Sequence, residues 1–509
     1  MDLINSPSVI IQLNPRDNVG VASKAVPNGF PIDKNGTLAK ENIDAGHKVA
    51  LTNINKDEAV YKYGQLIGIA AQDVVPGEHV HTHNLTMIEL DSSLKDFQPH
   101  PQTDTTSSSR TFQGFQRDDG SVGTRNYIGI LSTVNCSATV AKAAADTLNQ
   151  SDELSQMGFD GVVAITHGSG CAMNTDSEGF SFLERVIAGY AQHPNFAFVL
   201  IIGLGCETNQ VKTLVAKKGL EDASRLAYFN IQDAGGTRTS IKTACDHIMQ
   251  MAAQHGQMQR EPASLKHLVV ALQCGGSDGY SGITANPALG HAADLIVQHG
   301  GSVILAETPE IYGAENLLID RSINENVAQK LLDRITWWKH YTEINGAELN
   351  NNPSPGNKAG GLSTILEKSL GAVAKGGSSS LNDVLHYAEK ITTRGFNFMD
   401  SPGYDPVSVT GQIASGSTVV CFTTGRGSVS GFKPAPCLKL ATNTSMYEKM
   451  HEDMDINCGV IVDGTASVED VGEQIFERII AIASGDMSAS ESLGYGSNEF
   501  VPWLVGAIT

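Results

Sequence analysis

Residues 126–150 read NYIGILSTVNCSATVAKAAADTLNQ. An apolar run of strand length passes through a short polar turn into a segment with helical spacing of Val, Ala and Leu. The pattern recurs along the chain. GVVAITH (161–167) precedes FSFLERVIAGYAQ, and FAFVLIIG (196–203) precedes VKTLVAKKG. LAYFNI (226–231) precedes IKTACDHIMQMAAQ, HLVVALQ (267–273) precedes ALGHAADLIVQHG, and SVILAE (302–307) closes the series. Apolar strands alternating with helices predict a doubly wound, mostly parallel α/β sheet. The strands are apolar on both faces, as a sheet covered by helices on both sides requires.

On the N-terminal side, DSSLKDFQPHPQTDTTSSSR (91–110) is rich in Ser, Thr, Pro and Gln and almost free of apolar residues. That composition predicts a flexible linker over residues 91–111. It separates a module, residues 1–90, whose segments HKVAL (47–51), GQLIGIA (64–70) and GEHVHTHN (77–84) read as short strands. On the C-terminal side, the helix-like ENVAQKLLDRITWWKHYTEI (325–344) is followed by NNPSPGNKAGG (351–361), a Pro- and Gly-rich break. The expected division is a central α/β domain over 112–350 and a C-terminal α/β domain over 351–509. The latter carries STVVCFTT (417–424), CLKLAT (437–442) and the helix VEDVGEQIFERIIAIASG (468–485).

A chain of 509 residues exceeds one ordinary core. With 41% hydrophobic and 18% charged residues it is globular rather than disordered. A formal net charge of −20 argues against nonspecific binding to nucleic acid or to anionic membrane. An anionic substrate would need a metal or a local Lys/Arg cluster. The first residues lack a basic region followed by an apolar one, and no apolar run reaches the roughly 18 residues of a membrane span. The expected setting is cytoplasmic, with the eight cysteines reduced.

In an open parallel sheet, ligands bind beyond the carboxyl ends of the strands. Four motifs fall there: STVNCS (132–137), THGSGC (166–171), GLGCETN (203–209) and QCGGSDGYSG (273–282). Cys136, Cys171 and Cys206 are spaced by 35 residues each time, about one strand–helix repeat. Together with Cys274 they are expected on one edge, as candidate metal ligands. Thiolates suit iron or zinc, and added His or carboxylate ligands extend the choice to Fe(II) and Mn(II). The competing reading is packing, because free Cys commonly fills core space. GLGCE lacks the third glycine of a dinucleotide fingerprint, which argues against a nicotinamide cofactor.

The run His79-Val80-His81-Thr82-His83 alternates imidazoles, which in a strand share one face. His79 and His81 are therefore candidates for metal ligation or acid–base catalysis, with His47 in the same module. His167 and Lys358 are further catalytic candidates. Arg125, Asn126, Ser277, Asp278, Asn286, Asn357 and Arg426 are candidates for substrate binding; Glu207, Glu307, Glu310 and Glu315 complete the polar set. Lys and Arg in Gly-rich loops can clamp a carboxylate, Arg bidentately.

Taken in order, GHKVAL, GEHVHTHN, DGSVGTRN, HGSGC, IGLGCE, QCGGSDG, NPSPGNKAGG and FTTGRG resemble the altronate/galactarate dehydratase family along nearly the whole chain. The resemblance implies an N-terminal β-clip (antifreeze-like, SAF-type) domain and a hydro-lyase that converts a sugar acid to a 2-dehydro-3-deoxy product. It also implies dependence on Fe(2+), with Mn(2+) as an alternative. GEHVHTHN and PEIYGAE resemble the branch acting on D-altronate in hexuronate catabolism; galactarate is the alternative substrate. A related sulfo-lyase carries the two parts as separate chains. From another class, a nicotinamide-dependent sugar-acid oxidoreductase stays open, as does a sugar-acid sensor, and a homo-oligomer is expected for an enzyme of this size.

Overall fold

The computed structural model describes residues 9–90, 92–95, 97–106, 110–221 and 224–506. The N-terminal module is made of short antiparallel strands. Its strands are β1 (Ile10–Ile11), β2 (Val19–Ala22), β3 (Lys48–Ala50), β4 (Ala59–Lys62), β5 (Gln65–Ala70), β6 (His79–Val80) and β7 (Leu85–Thr86). They form two sheets, ordered β1-β2-β3-β6 and β4-β5-β7. Small aliphatic side chains close a core between them, including Val19, Ile54, Val60, Ile67, Val74 and Val80. Such a core is small, so the module depends on docking for much of its stability.

Residues 92–95 and 97–106 lie on the body of the protein, in contrast to the flexible linker that composition predicts. Leu94 and Phe97 pack on the main core. The His100 amide donates to the Ser322 carbonyl at 2.9 Å and the Thr106 amide to the Gln298 carbonyl at 2.8 Å. Two apolar anchors and backbone hydrogen bonds to the body outweigh the polar composition. Residues 91, 96 and 107–109 of that segment, and residues 1–8 of the leader reading, fall outside the described residues.

The next strands, β8 (Thr111–Gln116) and β9 (Val122–Gly123), lead into a parallel sheet of β10 (Tyr127–Ser132), β11 (Val162–Ile165), β12 (Phe196–Gly203) and β13 (Leu226–Asn230). Its order is β11-β10-β12-β13. Every residue of β12 is buried. Phe198, Leu200 and Ile202 face helices Ala138–Leu148 and Thr237–Gln254, while Val199 and Ile201 join the main core with helix Glu178–Ala191. Alternate residues thus feed two helical layers, the doubly wound arrangement.

After β14 (Glu261–Ser264), which pairs with β8, a second parallel sheet begins. Its strands are β15 (Val269–Cys274), β16 (Ser302–Ala306), β17 (Leu381–Leu385), β18 (Gly395–Met399), β19 (Val419–Thr424), β20 (Cys437–Ala441) and β21 (Ile456–Asn457). The order is β17-β18-β16-β15-β19-β20-β21. The mostly parallel α/β class is as read, but the division differs. Strands before and after residue 351 interleave in this sheet, so the boundary expected there runs through one domain. The break among the α/β repeats comes earlier, after helix Thr237–Gln254. The segment 351–361 serves as a cap instead: Ser354 starts helix Pro355–Ala359, and Asn357 Nδ2 donates to the Ser277 carbonyl at 2.8 Å.

Candidate active site

The imidazoles of the β module do gather, though not along a regular strand. β6 ends at Val80, and His81 and His83 stand in the turn that follows. His79 pairs with Val49 across β3, so His47 is its diagonal neighbour. Ring centroids of His47, His79 and His81 lie 5.1–5.3 Å apart, and His83 is 5.5 Å from His79. His81 Nε2 donates to the Lys358 carbonyl at 2.9 Å. His47 Nε2 donates to the Ala359 carbonyl at 3.2 Å, which leaves its Nδ1 to accept from His79 Nε2 at 2.9 Å. The lone pair on Nδ1 of His79 then has no protein partner among the described residues. Burial, the neighbouring imidazoles and Lys48 push His79 down to about 3; burial and Lys48 push His81 down to about 4. Both rings are therefore neutral near pH 7.

The cluster is held over the large domain by a buried ionic joint. Lys48 Nζ donates to Glu367 Oε2, Ser363 Oγ and the Gly361 carbonyl, each at 2.8 Å. Lys62 Nζ meets Glu367 Oε1, also at 2.8 Å. Burial opposes the charge on Glu367, but the two ammonium groups hold its carboxyl down to about 2. Close backbone approach completes the joint. A Cβ on Gly279 would stand 1.9 Å from the Gly46 carbonyl oxygen, so only glycine fits. Tyr280 Oη donates to the Ala22 carbonyl at 2.9 Å.

Beneath the imidazoles lies the carboxyl edge of the seven-stranded sheet. Asp278, beyond β15, is buried and accepts from Tyr280 N, Ser281 Oγ, Thr442 Oγ1 and Asn443 Nδ2 at 3.0–3.1 Å. Burial pushes its carboxyl up against these donors. Arg426, beyond β19, is exposed, and its side chain lies against Gly276. Lys358 is half-buried. The structure thus brings His79, His81, Ser277, Asp278, Asn357, Lys358 and Arg426 to one region. Asn286 supports it from below: it is buried, its Nδ2 donates to the Gly371 carbonyl and its Oδ1 accepts from Thr423 Oγ1, so both ends of the amide are tied to the fold.

Beside this region is a buried ionic nest that sequence reading only half identified. Cys274 ends β15, and Glu307 and Glu310 follow β16; their ligating atoms lie within 4.8 Å of one another. Lys375 Nζ is 2.7 Å from Cys274 Sγ, and Lys368 Nζ is 2.7 Å from Glu310 Oε1. Burial and Glu310 push the Glu307 carboxyl well up, whereas Lys368 and Lys375 overcome burial and hold Glu310 low. Burial, offset in part by Lys375, raises the Cys274 thiol to about 12. Lys368 and Lys375 were not legible, because each is an ordinary charged residue in its own segment.

Several expected site residues belong elsewhere. Cys274 sits on the second sheet against an ammonium and does not join Cys136, Cys171 and Cys206, which lie beyond β10, β11 and β12. Arg125 and Asn126 precede β10, at the opposite end from the ligand edge. Arg125 clamps Glu491 with two hydrogen bonds and donates to the Thr124, Ile482 and Asp486 carbonyls. Asn126 is fully buried, bonded to Arg117 and to the Gly158 carbonyl. Every donor of Arg125 is engaged by the fold, so neither residue is placed for substrate. His167 is buried beneath the loops of the first sheet, 3.0 Å from the Ser132 carbonyl. It lies on a different sheet edge from the imidazole cluster.

Neutral imidazoles, a buried carboxyl group and two cationic side chains beyond the strand ends equip this α/β protein for acid–base chemistry on a small anion. Family models agree in detail. Residues 8–88 match the altronate/galactarate dehydratase SAF domain, 114–256 the second domain of D-galactarate dehydratase/altronate hydrolase, and 265–508 the D-galactarate/altronate dehydratase C-terminal domain. The chain is 36% identical to the altronate dehydratase of Bacillus subtilis, over 94% of its own length and 95% of that protein's. It is 35% identical to the altronate dehydratase of Escherichia coli, over 94% of itself and 96% of that protein. It is 36% identical to the galactarate dehydratase (L-threo-forming) of Escherichia coli, over 93% and 92% of the two chains. The chain belongs to the altronate/galactarate dehydratase family and is a hydro-lyase.

Proposed function

We propose that the protein dehydrates D-altronate to 2-dehydro-3-deoxy-D-gluconate in the cytoplasmic breakdown of hexuronates. The observation that carries this reading is the cluster of His47, His79 and His81, seated on the Lys358–Ala359 backbone above Asp278 and Arg426. Two altronate dehydratases match along almost the whole chain. The galactarate dehydratase matches equally well, so galactarate is the second reading. No helix among the described residues is long and apolar enough to cross a membrane, in keeping with a cytoplasmic setting. A homo-oligomer is the expected assembly.

Dehydration removes the proton α to a carboxylate and expels the β-hydroxyl. With a formal charge of −20 the protein repels its substrate at long range, so Lys358 and Arg426 are assigned to hold the carboxylate. Nδ1 of His79 is assigned to accept the α-proton. Its ring is neutral when empty, and an anion bound beside it favours the protonated ring, so substrate strengthens the base. His81, neutral and with its one N–H on the Lys358 carbonyl, positions the neighbouring ring, and the proton collected on Nδ1 of His79 is the one returned to the leaving hydroxyl. Asp278 positions the loop through its hydrogen bonds rather than touching the reacting atoms. A neutral imidazole with an open lone pair also fits an Fe(2+) or Mn(2+) ligand. Such a metal, when bound, would supply Lewis-acid stabilisation of the enolate.

The test is a 2-keto acid assay over a panel of sugar acids, using protein purified without oxygen. D-altronate as the preferred substrate, with no nucleotide added, is the expected result. Preference for galactarate selects the second reading. NAD(P)H formation in place of 2-keto acid removes the dehydratase reading.

A further inference from the structure

Free cysteine is among the most buried residue types. Cys274, Cys421, Cys437 and Cys458 obey this rule, while Cys136, Cys171 and Cys206 are exposed. Those three occupy one structural position: each stands just beyond the carboxyl end of a strand, and the strands β11, β10 and β12 are neighbours.

The three loops are stitched together next to the cysteines. Asn135 N donates to the Ser169 carbonyl at 3.0 Å, joining the Cys136 loop to the Cys171 loop. Asn209 N donates to the Gly170 carbonyl at 3.1 Å, joining the Cys171 loop to the Cys206 loop. Asn209 Nδ2 donates to the Thr133 carbonyl and Thr133 Oγ1 to Glu207 Oε1, which closes the circuit. Glu207 is buried and also accepts from the Leu204 and Gly205 amides. Gly170 crosses so close to the Thr133 carbonyl that a Cβ would stand 2.2 Å from its oxygen. The buried polar groups are thus satisfied, and the scaffold holds three thiols outward.

We propose that Cys136, Cys171 and Cys206 bind an iron–sulfur cluster, each thiolate on a different iron, leaving one iron without a ligand from these loops. Spacing decides against a single ion. Thiolates around one tetrahedral metal at 2.3 Å stand roughly 3.8 Å apart. The only group of three His, Cys, Asp or Glu ligand atoms mutually within 4.8 Å, among the described residues, is Cys274, Glu307 and Glu310. The three exposed sulfurs are therefore not gathered around one ion, whereas a cluster takes one thiolate on each iron and so suits thiols from three hydrogen-bonded neighbouring loops. An iron with an open position can act as a Lewis acid toward an oxygen ligand. The inference deepens the dehydratase reading, but its test measures binding without turnover.

The experiment uses the full chain, reconstituted without oxygen with ferrous iron and sulfide. About four irons and about four acid-labile sulfides per chain are expected, with a broad visible absorption band. Cys136→Ser, Cys171→Ser and Cys206→Ser should each abolish the band, whereas Cys245→Ser should keep it. Alkylation mapping of the unmodified chain covers variants that fail to fold: all three thiols should react before reconstitution and be protected after it. Iron without sulfide, a band that survives the three substitutions, or unprotected thiols would overturn the proposal. A chain that binds the cluster but forms no 2-keto acid keeps the cluster and removes the dehydratase reading; the reverse result does the opposite.

Discussion

The two parallel sheets of this protein end differently. Beyond β10, β11 and β12, the loops satisfy their polar groups internally and present three thiols to solvent. Beyond β15 and β16, the chain buries a thiol, two carboxyls and two ammonium groups in one nest. Cysteine occupies the same strand-end position in both. Its neighbours differ: the first edge leaves three thiols exposed, whereas Cys274 is buried against Lys375 and lies with Glu307 and Glu310 in a group whose ligand atoms are within 4.8 Å of one another. A strand-end motif alone therefore does not identify a ligand.

The largest effect on stability is expected in the nest. Glu310→Gln removes the carboxylate that pairs with Lys368 and leaves a buried ammonium uncompensated. Removing one partner of such a pair costs about 3–5 kcal/mol. Urea unfolding should show this loss, and a loss under about 1 kcal/mol would mean that the nest is hydrated or rearranged.

The joint between the β module and the large domain extends the same logic to pH. Glu367 is held at about 2 when folded and titrates near 4.5 when unfolded, so the unfolded chain binds the extra proton between these values. Its contribution is fully present above about pH 4.5 and declines as pH falls toward 2. The urea midpoint should drop across that window. Glu367→Gln, already destabilised at pH 7, should lose part of that dependence; an unchanged slope would place the acid sensitivity elsewhere.

Glu307 offers a finer comparison inside the nest. Neither of its carboxyl oxygens has a hydrogen-bond partner, Lys375 Nζ stands 4.0 Å from Oε2, and burial with Glu310 pushes its carboxyl well above the ordinary range. Glu307→Gln keeps the shape at a position where the nest disfavours charge, and a change of about 1 kcal/mol or less is expected. A loss as large as that of Glu310→Gln would show that Glu307 is ionised.

The alternation of strands and helices was legible because each strand of a doubly wound sheet must be apolar on both faces, as β12 is. The split into two sheets was not, because strand periodicity carries no information about which strands pair. The imidazole cluster was legible in outline from His79 and His81, but the partner that fixes it is the Lys358–Ala359 backbone, far away in sequence. Arg125 and Asn126 misled for a related reason. Polar residues beside a strand read alike at either end, yet only the carboxyl end carries the candidate site, and here they tie the amino end to Glu491, Arg117 and Gly158. Glu367, Lys368 and Lys375 gave no signal, since burial of charge is visible only once the partners are in place.

The smallest stability effect should come from the first sheet edge. Cys136→Ser replaces one exposed side chain by another of nearly the same size. Surface substitutions of this kind usually stay within about 0.5 kcal/mol. The metal-free variant should therefore unfold at the urea midpoint of the metal-free parent chain. Cys274→Ser, at the equivalent strand end, changes a buried sulfur bound to Lys375 and should shift that midpoint measurably. Equal shifts at both positions would erase the distinction between the two edges. A neutral Cys136→Ser beside a destabilised Cys274→Ser would show that the fold depends on the inward strand-end cysteine and not on the outward one.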